Sequence, residues 1–262
     1  MSRQYAKLFA ILLAASFMQV ATAGVAVAGS YEDALLAYNK GDFATAFRLY
    51  RSLAEKGNPY AQEALGRMYA RGEGVQRDPV EASNWFSKAN DQINALGAYN
   101  RGDFTTAMRV FRPLADQGQA LGEYLIGLMY ANAQGVPENY SEALKWLQKA
   151  AEQGEPKAQF SVGLIYFKGL GIPRNYAEAS KWYRRSADQG NATAQFNLGF
   201  MYAKGQGVPQ DSVTAYMLLS LAAAKGIKAA GEAREKLMKS MDSAQVAEAE
   251  KMAHDWKPKP EL

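Results

Sequence analysis

Glycine recurs at Gly118, Gly154, Gly190 and Gly226, each 36 residues after the one before. The same step joins Gly127, Gly163 and Gly199, then Gly135, Gly171 and Gly207, and it is kept by Tyr130, Tyr166 and Tyr202 and by Trp146 and Trp182. Several independent registers sharing one spacing define a repeat array. This limits the fold more sharply than size does, since 262 residues would otherwise suit one large domain or two small ones. In an array each unit buries its apolar face only against the next, so the units must stack.

Each repeat reads as two helices. The first runs, for example, over 192–204, with Gln195, Leu198, Gly199 and Tyr202 on one face. It ends in a Gly-x-Gly-Val-Pro turn from Gly205 to Pro209, where glycine can take positive φ and proline stops the helix. The second helix opens on a short polar residue: Asp78, Asn139, Asn175 or Asp211, with Glu81, Glu142 and Glu178 three positions on. Such side chains accept from the free N–H groups of the first turn, and Pro79 sits where its missing N–H costs nothing. Ala179, Trp182, Tyr183 and Ala187 then form one stripe, and Gly190 caps the end. Gly199 and Ala179 mark places where helix axes approach closely, and the tryptophans and tyrosines read as filling between repeats.

An older duplication lies upstream. The segment from Ala34, ALLAYNKGDFATAFRLYRSLAEKG, returns from Ala95 as ALGAYNRGDFTTAMRVFRPLADQG, 61 residues later. In both copies the loop shrinks to Gly-Asp (Gly41-Asp42 and Gly102-Asp103), with Asp as the helix cap. The whole pattern predicts fourteen helices: six pairs between about residues 31 and 225, then two at about 229–240 and 243–256 that leave the repeat. Asp242 with Gln245 has the spacing of a capping box, and the mixed polar and apolar faces suit a terminal cap. The expected division is a repeat solenoid over 30–226, capping helices over 227–256 and a disordered tail over 257–262.

The first residues read as an address. Arg3 and Lys7 precede an apolar stretch from Leu8 to Ala21, followed by Ala21-Thr22-Ala23 before Gly24. That is the layout of a secretory signal peptide over 1–23, with a second possible cleavage after Ala28. The run is short for a membrane span, and no Cys follows it as a lipoprotein would require. A periplasmic or secreted chain is expected, with no stable membrane insertion after cleavage. Removal of Arg3 and Lys7 leaves 28 positive against 26 negative charges, too little to argue for nucleic acid.

Composition closes other routes. The chain has no cysteine and one histidine, His254, which excludes disulfide scaffolds, Cys/His zinc sites, iron–sulfur clusters and Cys-nucleophile enzymes. No hydrolase, zincin or Walker motif is present. Segments such as GEGVQRD and GQGVPQD follow helices rather than strands and recur in the long-loop repeats, so they are turns and not phosphate loops. The pair Glu248 and Glu250 lies on a charged helix face. The expectation is a protein that is not an enzyme and uses no metal or cofactor.

Segments such as AQFNLGFMYAKGQGVPQD and YAEASKWYRRSADQG resemble the SEL-one-like repeat, a subclass of the tetratricopeptide superfamily. The resemblance covers roughly 59–90 and 120–226. It implies an all-α fold: a right-handed α-solenoid of stacked antiparallel helix pairs, here with a C-terminal helical cap, acting as a protein adaptor. A cysteine-rich branch of the family is associated with β-lactams, and the lack of cysteine sets this chain apart from it. In tetratricopeptide arrays the first helix of each pair lines a concave groove. Carried over by register, the groove positions include Arg67 and Arg71, then Tyr124, Leu128 and Asn132, then Phe160, Leu164 and Lys168, and finally Phe196, Phe200 and Lys204. Tyr124, Phe160 and Phe196 form an aromatic row, and Arg71, Lys168 and Lys204 a basic edge that Asn132 interrupts.

An apolar strip rimmed by positive charge suits a peptide carrying acidic residues. Two readings of the row stay open, a free strip or packing against the next repeat, and the basic edge can equally serve solubility. The expected partner is a protein or peptide segment of the cell envelope, bound by a monomer. A periplasmic β-lactam- or peptidoglycan-interacting protein is the alternative.

Overall fold

The computed structural model describes residues 28–259. The signal peptide read at 1–23 lies outside them, as do the last three residues of the tail, and the second cleavage position coincides with the first residue of the first helix. Among the described residues all regular structure is helical. The helices are α1 (Ala28–Asn39), α2 (Phe43–Glu55), α3 (Pro59–Arg71), α4 (Pro79–Asn100), α5 (Phe104–Asp116), α6 (Ala120–Ala131), α7 (Tyr140–Glu152), α8 (Pro156–Lys168), α9 (Tyr176–Asp188), α10 (Ala192–Lys204), α11 (Ser212–Ala224), α12 (Lys228–Met238) and α13 (Ser243–Asp255). Each packs on the next in chain order as far as α12, which is the stacking the period demands.

The caps form where the short polar residues stand. Asn139 accepts from the Glu142 N–H, Asn175 from the Glu178 N–H and Asp211 from the Thr214 N–H. In α13 the Asp242 and Gln245 side chains cap each other's backbone reciprocally. The close approach of helices is equally direct. A Cβ on Gly127 would lie 2.6 Å from Leu147 Cγ, and one on Gly163 would lie 2.7 Å from Tyr183 Cδ1. Both glycines let a helix pair interlock, and Tyr183, Phe111, Leu125 and Leu198 fill the interior behind them.

A buried amide ladder, not foreseen from the sequence, ties the repeats together. Gln62, Gln159 and Gln195 each donate from Nε2 to the carbonyl oxygen eight residues earlier, on Ala54, Ala151 and Ala187. From the following helix Gln92 donates to Gln62 Oε1 and Gln189 to Gln159 Oε1. These bonds satisfy helix-end carbonyls that burial would otherwise leave unpaired. Glu123 takes the glutamine position in α6 and accepts from Gln153 Nε2 at 2.6 Å.

Thirteen helices stand among the described residues where fourteen were expected, and the difference lies in α4. The break foreseen after the first long repeat does not occur, and α4 runs unbroken for 22 residues. The reason is Ile93. It lies 36 residues after Gly57, at the point where Gly57, Gly154 and Gly190 take φ of 88°, 92° and 90°. A β-branched residue is strongly disfavoured there, so the helix continues. As a result the α2–α3 turn meets the α5–α6 and α7–α8 turns across a cavity of about 270 Å³ lined by Leu53, Lys56, Gly57, Asn58, Leu121 and Glu155, among others. A Cβ on Gly57 would lie 2.6 Å from Gln119 Oε1.

The C-terminal end closes differently from a further repeat. Both α12 and α13 pack on α11, so α13 folds back instead of extending the row. Tyr216 of α11 donates to Glu250 of α13. Beyond α13 the chain returns to α9, where the Lys259 N–H donates to the Asp188 carbonyl at 2.8 Å and Trp256 lies under the Lys225 ammonium.

Two further residues depart from their register, and each yields a prediction. Glu155 caps α8, accepting from the Lys157 N–H, where Asn58 and Asn191 cap α3 and α10. Burial pushes its carboxyl up to about 7, with the Lys157 N–H and ammonium opposing this weakly. A raised folded-state value means full stability below the ordinary carboxyl range, lost as pH rises from about 4.5 through 7. Replacement by Asn keeps the cap and removes that loss, about 3 kcal/mol at 1.36 kcal/mol per pH unit. Glu155→Asn is therefore expected to match the parent near pH 4.5 and exceed it above pH 7, measured by urea unfolding. Ala133, at φ 53°, stands where Gly72, Gly169 and Gly205 occupy the left-handed region. Ala133→Gly should stabilise by about 1 kcal/mol in the same assay.

Candidate functional site

The groove positions divide into two sets. Arg67 and Arg71 belong to α3, which packs between α2 and α4. Both are also engaged. Arg67 pairs with Glu63 at 3.0 Å, and Arg71 bonds Tyr38 Oη and lies 3.7 Å from Glu73. The first half of the basic edge is thus neutralised by its own neighbours.

The aromatic row is largely packed. Phe196 is 7% exposed and forms a core cluster with Leu219, Ala222 and Ala230. Phe160 stacks on Tyr183 with ring centroids 5.7 Å apart. Tyr124 packs against two core clusters, and burial pushes its phenol far up. Phe200 is half-buried. Of the two readings left open for this row, packing against neighbouring helices describes Tyr124, Phe160 and Phe196.

The leucines of the strip are packed too, Leu128 at 2% and Leu164 at 5% exposure in two core clusters. With Asn132 and Lys168, which are half-buried, they border one cavity of about 130 Å³. Tyr140, at the start of α7, and Leu170, after α8, also line it, with Ala131, Leu147, Ser161 and Ile165. Neither Tyr140 nor Leu170 was foreseen as a groove residue. The signal for Tyr140 was present, since Tyr140 and Tyr176 keep the 36-residue step, whereas Leu170 follows no repeat register.

The polar groups of this cavity are short of partners. Asn132 Nδ2 is cut off from solvent and has no hydrogen-bond acceptor. Burial holds the Lys168 ammonium below the ordinary lysine range, and no charged neighbour contributes to that shift. The Ser161 hydroxyl is spent on the Lys157 carbonyl at 2.9 Å. Glu138, ahead of α7, accepts from Tyr140 and forms no ion pair with Lys168. Lys204, one repeat further along, is exposed. His254, the lone histidine, is exposed at the end of α13 beside Asp255.

Comparison with known proteins decides the family. A description of the Sel1 repeat matches residues 33–58, 59–94, 120–155, 156–191 and 192–227. The chain is a Sel1 repeat protein. The match at 33–58 includes the first of the two units in which the loop is reduced to Gly-Asp, and the second, at 95–119, falls between matched repeats.

A Sel1 repeat protein from Oxalobacter formigenes has a similar solved structure, 30% identical, with a TM-score of 0.53 over 87% of this chain and 100% of the other. Among curated relatives, HRD3B of Arabidopsis thaliana, a component of an ERAD-associated E3 ubiquitin-protein ligase, is 32% identical over 40% of this chain and 18% of its own length. An exopolysaccharide production negative regulator from Rhizobium meliloti (strain 1021) is 30% identical over 42% of this chain and 51% of its own. The chain therefore spans about half or less of these curated relatives. Sel1 repeat arrays are a scaffold for protein interaction, and no described helix is long and apolar enough to cross a membrane.

The unpaired state of Lys168 can be checked without any ligand. Lys168→Met removes a desolvated charge that has no counter-ion, so its melting temperature is expected to be no lower than that of the parent chain. A clear fall would reveal a partner that stabilises the ammonium.

Proposed function

We propose that this Sel1 repeat protein is an exported, non-enzymatic adaptor that holds a protein or peptide segment of the cell envelope in its concave groove. The observation that carries this reading is the convergence of Leu128, Asn132, Leu164 and Lys168, groove positions of two successive repeats, on one cavity with an unpartnered donor and an uncompensated ammonium. Groups left in that state favour an external acceptor, because a buried polar group without a partner is costly. The working part of the groove is the α6–α8–α10 strip, with Lys204 continuing the positive edge. Phe200 is the aromatic of that strip retained as a contact, and Arg67 and Arg71 are set aside as internally paired.

Export rests on the charged, apolar and small-residue pattern of the first 28 residues. An envelope setting is in keeping with the rhizobial relatives named for control of exopolysaccharide production. The back-folded α13 covers α11 and limits stacking of a second copy there, in keeping with a monomer.

Crosslinking from native periplasm tests the reading. The mature chain is expected to capture one envelope protein, and charge reversal at Lys168 and Lys204 together with Phe200→Ala is expected to lose it. Capture that survives these changes would refute groove binding, and a chain retained in the cytoplasm with its first 23 residues uncleaved would refute export.

A further inference from the structure

The cavity of about 270 Å³ where the α2–α3, α5–α6 and α7–α8 turns meet shares no lining residue with the one between α6 and α8. Buried Leu53, Leu121 and Glu155 line it, and exposed Lys56 and Gln153 carry it to the surface. Its neutral polar groups are spent within the fold. Asn58 Oδ1 accepts from the Ala61 N–H, and Gln153 Nε2 donates to the Gly118 carbonyl and to Glu123.

Two charged groups are left over. Glu155 is 5% exposed and accepts from the Lys157 N–H through one oxygen, and its carboxyl makes no ion pair among the described residues. Lys56, just after α2, makes none either, so the two border one cavity without pairing. One of the helix ends there also lacks a cap. Asn58 and Glu155 cap α3 and α8, but the Gln119 side chain makes no cap bond to α6, and its Oε1 is buried without a donor. Ala120 and Leu121, the first residues of α6, line the cavity, so the positive end of that helix borders the same space as the Lys56 ammonium.

A plain cation would suit Glu155 and be repelled by Lys56, and a plain anion would meet the reverse. A zwitterion satisfies both, and Leu53, Ala120 and Leu121 offer an apolar wall beside them. We propose that this cavity binds a free α-amino acid with an aliphatic side chain, its ammonium on the Glu155 carboxylate and its carboxylate on Lys56 and the first turn of α6. The site lies apart from the groove and does not rest on the adaptor reading. The ammonium supplies the counter-charge that a buried carboxylate needs, and the carboxylate takes up unpaired N–H groups of a helix start. The charged and titratable groups facing Glu155 are Lys157 of α8, Tyr124 of α6 and Lys56 beyond α2. Burial pushes its carboxyl up to about 7, so the ionised form that an ammonium prefers is gained as pH rises through that value.

The test uses the mature chain, nitrogen-15 labelled, at about pH 8, with L-leucine as the probe. The backbone amide resonances of Ala120 and Leu121 are expected to shift saturably, with a Kd of about 1 mM or tighter. N-acetyl-leucine, which lacks the ammonium, and leucinamide, which lacks the carboxylate, should each bind about tenfold or more weakly. Glu155→Asn keeps the α8 cap and should lose leucine by at least about tenfold with no fall in melting temperature. Lys56→Gln, at an exposed position, should lose a similar factor, and lowering the parent to about pH 6 should weaken binding about tenfold. Leucinamide that binds as tightly as leucine would overturn the zwitterion, and N-acetyl-leucine that does so would overturn the role of Glu155. Binding unchanged in both variants, or no saturable shift at Ala120 and Leu121 at about 10 mM leucine, would overturn the site itself.

Discussion

The structure depends on how closely successive helices can approach. A glycine at Gly127 and Gly163 lets α6 settle on Leu147 and α8 on Tyr183 at distances that any Cβ would violate. Interlocking at that range turns a helix pair with an unburied stripe into a stacking unit. The amide ladder adds a second tie, between α7 and α8 and between α9 and α10, where Gln159 and Gln195 reach the Ala151 and Ala187 carbonyls. Apolar burial within a helix pair and polar satisfaction between successive pairs are therefore held by two different contacts.

The same constraint explains where the array departs from regularity. A left-handed glycine after each second helix reverses the chain at Gly154 and Gly190. Ile93 cannot make that turn, so α4 passes straight through and the α2–α3 turn meets the later turns instead of the next one in sequence. This buries Glu155 at the meeting of three turns, in an apolar setting where its carboxyl holds its proton close to neutral pH.

Function follows from what the packing leaves over. Tyr124, Phe160 and Phe196 go into the stack, and Arg67 and Arg71 are neutralised by Glu63 and Glu73. What remains is a short stretch of groove with unpaired donors among apolar walls. Recognition there rests on chemistry that the fold does not use, which is how one scaffold can serve different partners.

The sequence by itself determined the repeat, the helix pairs, their caps and the all-helical stack. Each of these depends on residues within a few positions of one another, as Asn139 does on the Glu142 N–H and Gly205 on the turn it makes. It also held the clue to the fused α4, in a β-branched residue at a glycine register, although the two helices on either side read as separate units. Only the tertiary structure decided which groove residues are free. The same register position is paired at Arg71, orphaned at Asn132 and desolvated at Lys168, because the surroundings of a side chain depend on the angle between repeats and on neighbours 30 or more residues away. Local pattern fixes where a residue points along its helix. The stacking of whole repeats fixes what it meets there.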